Sequence, residues 1–305
     1  MDIILNYFKV YIRELIEKEM RNLKEIEEIR IRANKPIILK SGQDERVVNY
    51  VISSEEILEL LQRICENSIY SYQEELCKGY ITIKGGHRVG ISGNVVYKDN
   101  KIININYIYS LNFRIARQVK NCSERIIKYI INPKQNFIYN TLIVSPPGAG
   151  KTTMLKDIIR IISNGDINQI QPLTVGVVDE RGEIAAMYKG IPQNDIGIRT
   201  DVLSNISKSL GMNMLIRSMA PQVIVADEIG CKADIDAINY AVCCGIKGIF
   251  TAHGGSIGDL YINSAMRELI DMNIIERIVF LNKVRRGQVD NIYALNKDTK
   301  QYELI

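Results

Sequence analysis

The sequence lacks a CxxC pair, a long apolar run and a strong charge of either sign. Its six cysteines, Cys65, Cys77, Cys122, Cys231, Cys243 and Cys244, are scattered and share no ligand spacing with histidine. That argues against a zinc site and fits a reducing compartment. Adjacent Cys243 and Cys244 fall in a helical pattern and are expected as small buried side chains. No stretch is long and apolar enough to span a bilayer. The N-terminal MDIILNYFKVYIRELIEKEM carries charges throughout and does not read as a signal peptide. Together these features predict a cytoplasmic protein whose membrane role, if any, is peripheral. The net charge of +4 is too small to argue for a nucleic-acid or membrane-surface partner. What remains is a globular composition, 46% hydrophobic and 24% charged, in 305 residues, enough for two domains.

The first part of the chain mixes helix and strand. Leu5, Phe8, Ile12, Leu15 and Ile16 recur at helical spacing over residues 3–20. Residues 26–39 read as a strand pair around Asn34, Lys35 and Pro36. A helix over 54–67 is predicted to be capped by Ser53 or Ser54, with another over 70–78. Alternating apolar residues flank Gly85 and Gly86 in a hairpin over 79–97, and 102–116 is extended. Residues 120–139, with Pro133, read as a helix and a connector. The domain boundary is set at 125/126.

Beyond it the pattern changes. Residues 141–144, 173–178, 223–226 and 246–251 are near-continuous apolar runs separated by helical segments. Such strands belong to a parallel sheet covered on both faces. Residues 277–304 read as strands joined by turns at Arg286 and Gly287 and at Lys297 and Asp298. The predicted architecture is α/β: a core with a predominantly parallel sheet (126–305) and a β tail, preceded by a smaller α+β domain (1–125).

The main chemical signal is Ser145, Pro146, Pro147, Gly148, Ala149, Gly150, Lys151, Thr152 and Thr153. It fits the phosphate-loop pattern G-x-x-x-x-G-K-[ST] except at its first position, where Ser145 replaces glycine. Gly148 and Gly150 free the backbone to curl around an anion at the N-terminus of the following helix. Lys151 is placed to meet the β- and γ-phosphates of ATP, and Thr152 to offer a hydroxyl to Mg²⁺. Ser145 raises a question of backbone strain rather than of a lost contact.

Two acidic strand ends follow. Residues 223–226 deliver Asp227, a candidate Mg²⁺ ligand, and Glu228, a candidate for orienting or deprotonating water. Residues 177–183 deliver Asp179, Glu180 and Glu183. Glu180 or Glu183 is a second polariser of water, a partner for an arginine, or one half of an ordinary loop ion pair. Strand ends at this edge are where ligands bind in such sheets. His253, which follows 246–251, shares that edge and is either structural or a γ-phosphate contact. His87 is read as structural or surface. Among arginines, Arg114, Arg117, Arg199 and Arg217 are candidates for a cation that reaches the transferring group. Arg30 and Arg32 share one strand face.

The motifs SPPGAGKTTML, VVDERGEI, IRSMAPQVIVADEIG and GIFTAHG follow the order of the boxes in the type II and type IV secretion ATPases, which the chain resembles. Upstream, EEIRIRANKP, GYITIKGGHRVGISG and NFRIARQ resemble the stage III sporulation protein AA family of endospore-forming Firmicutes. That resemblance implies a RecA-like P-loop NTPase core and an ATP hydrolase using Mg²⁺. Lys151 and Thr152 match nucleotide and Mg²⁺ ligands, and Glu228 the water-activating glutamate. Glu180 or Glu183 falls in the acidic box and His253 in the histidine box. Arg217 matches the arginine before the acidic strand. Arg114 and Arg117 match linker arginines that reach a neighbour's nucleotide. It further implies a homo-oligomer, a hexameric ring, acting from the mother-cell cytoplasm against membrane-embedded channel proteins, with no nucleic acid. The alternatives are a nucleotide-binding scaffold with little hydrolysis and a nucleic-acid motor on the same core.

Overall fold

The structure is a computed structural model that describes residues 1–23, 25–132, 137–165, 171–282, 284–285 and 287–305. Pro133 of the expected connector and Arg286 of the expected turn lie outside the described residues. The chain divides into two compact units, Met1–Arg117 with Ala186–Gln193, and Gln118–Ala185 with Asn194–Ile305.

In the first unit, α1 (Asp2–Leu5) and α2 (Val10–Met20) replace the single helix expected from the spacing. Leu5, Phe8, Ile12 and Ile16 are all buried, so the spacing reported burial correctly across a break in the helix. An antiparallel sheet follows, built from β1 (Glu28–Arg32), β2 (Lys35–Ser41), β3 (Asp44–Ile52), β4 (Tyr80–Thr82), β5 (Arg88–Lys98) and β6 (Lys101–Arg114). Its order is β3-β2-β1-β6-β5-β4. Asn34, at φ 57°, makes the β1–β2 turn in the left-handed region that asparagine tolerates. Gly93 sits at an irregularity of the β5–β6 pairing, where an added Cβ would lie 2.6 Å from the Asn106 carbonyl oxygen.

α3 (Ser54–Ile64) opens with a capping box between Ser53 and Glu56, worth about 1 kcal/mol. Ile57, Leu60, Leu61 and Ile64 form its buried face. A short 3₁₀ turn, Ile69–Tyr72, leads into α4 (Gln73–Cys77). Residues Ala186–Gln193 belong to this unit although they lie far along the chain. Tyr188 Oη donates to Glu66 at 2.6 Å, Lys189 pairs with the same carboxylate at 2.5 Å, and Gly85 N donates to Gln193 Oε1 at 2.8 Å.

The second unit begins with α5 (Glu124–Ile130) and a two-residue ribbon, β7 (Ile131–Asn132) with β8 (Phe137–Ile138). Its main strands are β9 (Thr141–Ser145), β10 (Val175–Asp179), β11 (Thr200–Ser204), β12 (Val223–Ala226), β13 (Lys247–His253), β14 (Arg277–Leu281), β15 (Val289–Leu295) and β16 (Tyr302–Leu304). They order as β11-β10-β12-β13-β9-β14-β15-β16. The first six run parallel, and β15 and β16 add antiparallel strands at one edge. The expected tail therefore begins inside the parallel sheet, because β14 pairs with β9. β9, β10 and β12 are buried at every residue, as central parallel strands require. The helices are α6 (Lys151–Asn164), α7 (Lys208–Ser218), α8 (Lys232–Cys243), α9 (Ile257–Ile262) and α10 (Ser264–Asp271).

Two expectations change here. Cys243 and Cys244 are exposed, because α8 ends at Cys243 and the chain turns away through Gly245 at φ 80°. The division between units falls at 117/118 rather than at 125/126. The reason is Asp157 on α6, fully buried, which accepts from Asn121 N at 2.9 Å, Ser123 N at 2.9 Å and Ser123 Oγ at 2.7 Å. Those bonds tie residues 121–123 to the second unit.

Candidate functional site

β9 delivers the phosphate loop to the C-terminal edge of the parallel sheet. Ser145 is its last residue, fully buried, and pairs with His253 on β13. Its backbone is extended and not among the left-handed positions, so serine costs nothing here. The loop takes its left-handed turns at Gly148 (φ 78°) and Gly150 (φ 101°), where a side chain would be strained. Gly150 caps α6, so the free N–H groups of the first helical turn and the positive end of its dipole open onto the loop. The β14–β15 connection supports the loop from outside, through Gly287 N donating to the Ala149 carbonyl at 2.9 Å.

Lys151 is 6% exposed. Its ammonium donates to the Ser145 carbonyl at 2.9 Å and lies 3.1 Å from His253 Nδ1. Burial pulls its pKa below the ordinary lysine value, while Asp227 and Glu228 pull the other way. Thr152 Oγ1 donates to Asp227 Oδ2 at 2.6 Å. A hydroxyl beside a carboxylate at a helix N-terminus is a hard oxygen donor set, and it suits Mg²⁺ held jointly with phosphate oxygens.

The acidic pair is aligned by a residue that the sequence did not single out. The β12–β13 register sets Ala226 opposite Phe250, so Asp227 and Thr251 follow side by side. Thr251 Oγ1 donates to Asp227 Oδ1 and accepts from Glu228 N, the latter at 2.8 Å. Glu228 itself sits at φ 54°, a left-handed conformation costing about 1 kcal/mol or more for such a residue. The Thr251 bond holds it there. Glu228 Oε1 lies 3.2 Å from His253 Nε2, and Oε2 pairs with Arg181. A continuous chain, Lys151–His253–Glu228–Arg181, thus crosses the sheet edge.

The acidic box divides its labour. Asp179, 2% exposed, accepts from the backbone N–H groups of Glu183 (2.8 Å), Ile184 (3.1 Å) and Ala185 (2.8 Å). It organises the loop that carries Arg181. Glu180 pairs with Lys208 on α7, and Glu183 is exposed. Lys156 is a further unforeseen residue. It is 8% exposed, with its pKa lowered by burial and drawn back up by Asp179, Glu183 and Asp227.

Arg217 is not brought to this edge. It lies in the last turn of α7 and lines a cavity with Pro221, Gln222, Val223 and Lys247, where β12 and β13 begin. A helix that runs back over the sheet before a parallel strand must end at the strand's N-terminal edge, away from the ligand edge. Arg199 donates to the Ser163 carbonyl at 3.1 Å, closing the far end of α6. Arg114 ends β6 opposite Glu28 and Arg88 in the first unit. Arg117 in the same unit pairs with Glu25 and donates to the Ile26 carbonyl at 2.7 Å. His87 is buried, and its Nδ1 accepts from Ala116 N at 3.0 Å. Burial, assisted by the N-terminal amine, lowers its pKa, so it is a neutral structural acceptor. Among the described residues no helix is long and apolar enough to cross a membrane.

A sequence profile described as sporulation stage III, protein AA matches residues 1–299. Stage III sporulation protein AA of Bacillus subtilis (strain 168) is 41% identical over 271 residues, 88% of this chain and 87% of that protein. An uncharacterized protein ycf45 of Cyanidium caldarium is 30% identical over 166 residues, 53% of this chain and 46% of that one. Among solved structures, the Legionella pneumophila ATPase DotB superposes with a TM-score of 0.61 at 15% identity, over 95% of this chain and 82% of its own. The pilus retraction motor PilT, solved with ADP, gives 0.57 at 16% identity, over 95% and 81%. At these identities the likeness is one of fold: an α/β core with a large, mostly parallel sheet, preceded by an N-terminal domain, as in the secretion ATPases. With the profile spanning nearly its whole length, the chain belongs to the stage III sporulation protein AA family.

Proposed function

We propose that the chain is an ATP hydrolase that works in sporulation as a motor of the secretion type. The observation that carries this reading is the Lys151–His253–Glu228 chain standing beside the Thr152–Asp227 pair at one sheet edge. A phosphate loop alone would support only binding of a triphosphate. The glutamate supplies a base at the distance of one side chain from the phosphate-binding lysine.

In this reading the free N–H groups of the loop and of the first turn of α6 cradle the phosphates. Lys151 sets its charge against the β- and γ-phosphates. Thr152 and Asp227 would hold Mg²⁺, which neutralises charge on the phosphates when bound. Glu228 takes a proton from the attacking water. The water oxygen bonds to the γ-phosphorus, the bond to the bridging oxygen breaks, and ADP and phosphate leave. His253 holds Glu228 and Lys151 in register.

The motor is proposed to be a homo-oligomeric ring, six-membered as in the resemblance, peripheral to the membrane of the mother cell and working against membrane-embedded channel proteins. Arg117 is the proposed arginine in trans. Its pair with Glu25 is partly exposed, and such pairs are worth about 1 kcal/mol or less, so it can be exchanged for a phosphate contact. Steady-state ATPase rate measured against protein concentration, with and without DNA, tests this. The specific rate should rise with concentration, ignore DNA, and fall in Arg117→Ala without loss of thermal stability. A DNA-stimulated, concentration-independent rate would sink the ring reading.

A further inference from the structure

Both oxygens of Glu228 are already engaged, Oε1 by His253 and Oε2 by Arg181. A carboxylate held at both oxygens is poorly placed to accept a proton from water. Arg181 is the more easily moved of the two partners. Its side chain is 65% exposed, and it stands on the loop that Asp179 organises, one strand away on β10. A guanidinium presents a planar fork that suits a phosphoryl group as well as a carboxylate, and a terminal phosphate carries more charge.

We propose that Arg181 is a triphosphate-sensing arginine: it holds Glu228 until a γ-phosphate competes for the guanidinium, and its transfer frees Oε2 for water. The inference rests on the ATP hydrolase reading of this site. ADP, with no third phosphoryl group, leaves Arg181 on Glu228, so the base is released only when there is a bond to cleave. On the γ-phosphate the same guanidinium meets the charge of the transferring group. Removal of one donor aimed at the charge that develops in a transition state costs about 10²–10³ in turnover.

The test is a double-mutant cycle on the full-length chain, reading ATP and ADP dissociation constants by displacement of a fluorescent ADP analogue. Glu228→Gln lets go of Arg181 and should tighten ATP binding about 10-fold, with ADP little changed. In Arg181→Ala/Glu228→Gln that gain should vanish. Relief of plain repulsion between Glu228 and the phosphate would persist without Arg181, so the cycle separates the two causes. Arg181→Ala alone should lower kcat about 100-fold with little change in ADP affinity, and Arg181→Lys should restore part of it. Additive effects in the cycle, in a protein that hydrolyses ATP and loses that activity in Glu228→Gln, overturn the sensing role and leave the hydrolase reading standing. A wild-type chain with no ATP turnover overturns the reading beneath it.

Discussion

Replacing Asp157 by asparagine should loosen the second unit by about 3 kcal/mol, at the low end of the cost of breaking a buried ion pair. Asp157 is fully buried and gathers Asn121 N, Ser123 N, Ser123 Oγ and the Arg160 guanidinium, whose Nη2 lies at 2.9 Å. Arg160 is itself 7% exposed, so losing the carboxylate takes a charged partner from a buried cation. It keeps the Asn121 side chain at 2.8 Å, which is why the low end of the range applies. Burial acts to raise the Asp157 pKa, but the Ser123, Arg160 and Asn121 bonds together bring it below the ordinary aspartate value. A depressed folded-state pKa means that the stabilisation is present above the unfolded value of about 3.9 and is lost as pH falls through the folded one. Thermal unfolding near pH 7 should show Asp157→Asn lower by about 6–12 °C, at 2–4 °C per kcal/mol for a unit of this size. The deficit should shrink below pH 4. Asp157→Asn/Arg160→Met removes both charges and should recover most of the loss. A shift under 2 °C, or a double variant no better than the single, would refute the buried-pair argument.

Lys151→Ala should weaken ATP binding about 10- to 100-fold, the worth of one charged hydrogen bond, as read by isothermal titration; unchanged affinity would remove the loop from the site. Asp179→Ala deprives three backbone N–H groups of their acceptor and should raise hydrogen exchange at Ile184 and Ala185 at least about 10-fold, through a loss of 1–3 kcal/mol. Unaltered protection there would mean that Asp179 does not organise the loop. Gly150→Ala forces alanine to φ 101° and should cost about 1–2 kcal/mol or shift the loop, seen as weaker nucleotide binding with the fold intact; wild-type affinity would show that the loop can turn elsewhere.

The residues legible in the sequence are those whose role is set by close neighbours in the chain. The phosphate loop, the apolar strands β9, β12 and β13, and the Asp227–Glu228 strand end all read directly. β3 did not, because Val47 and Val51 face solvent (55% and 61% exposed) among charged residues, so no apolar run marks it. β11 is an edge strand with no fully buried residue and gave no apolar signal either. In the site, Thr251, Arg181 and Lys156 were missed for a different reason. Their roles arise from strand register and from helix-to-sheet packing, which bring together residues far apart in sequence. Ser145 raises a question of strain because the pattern has glycine there, whereas the backbone at that point is an ordinary strand end. Motif order alone groups Arg217 with the site, and order along the chain does not say which edge of a parallel sheet a residue reaches.

The proposed hydrolase depends on Glu228 activating the water that cleaves ATP. Single-turnover hydrolysis of γ-labelled ATP by wild type and Glu228→Gln, at protein concentrations where both bind nucleotide, tests it most directly. ATP binding should stay intact in the variant while the rate falls by about 10²–10⁴-fold. A variant that cleaves ATP at the wild-type rate would contradict it.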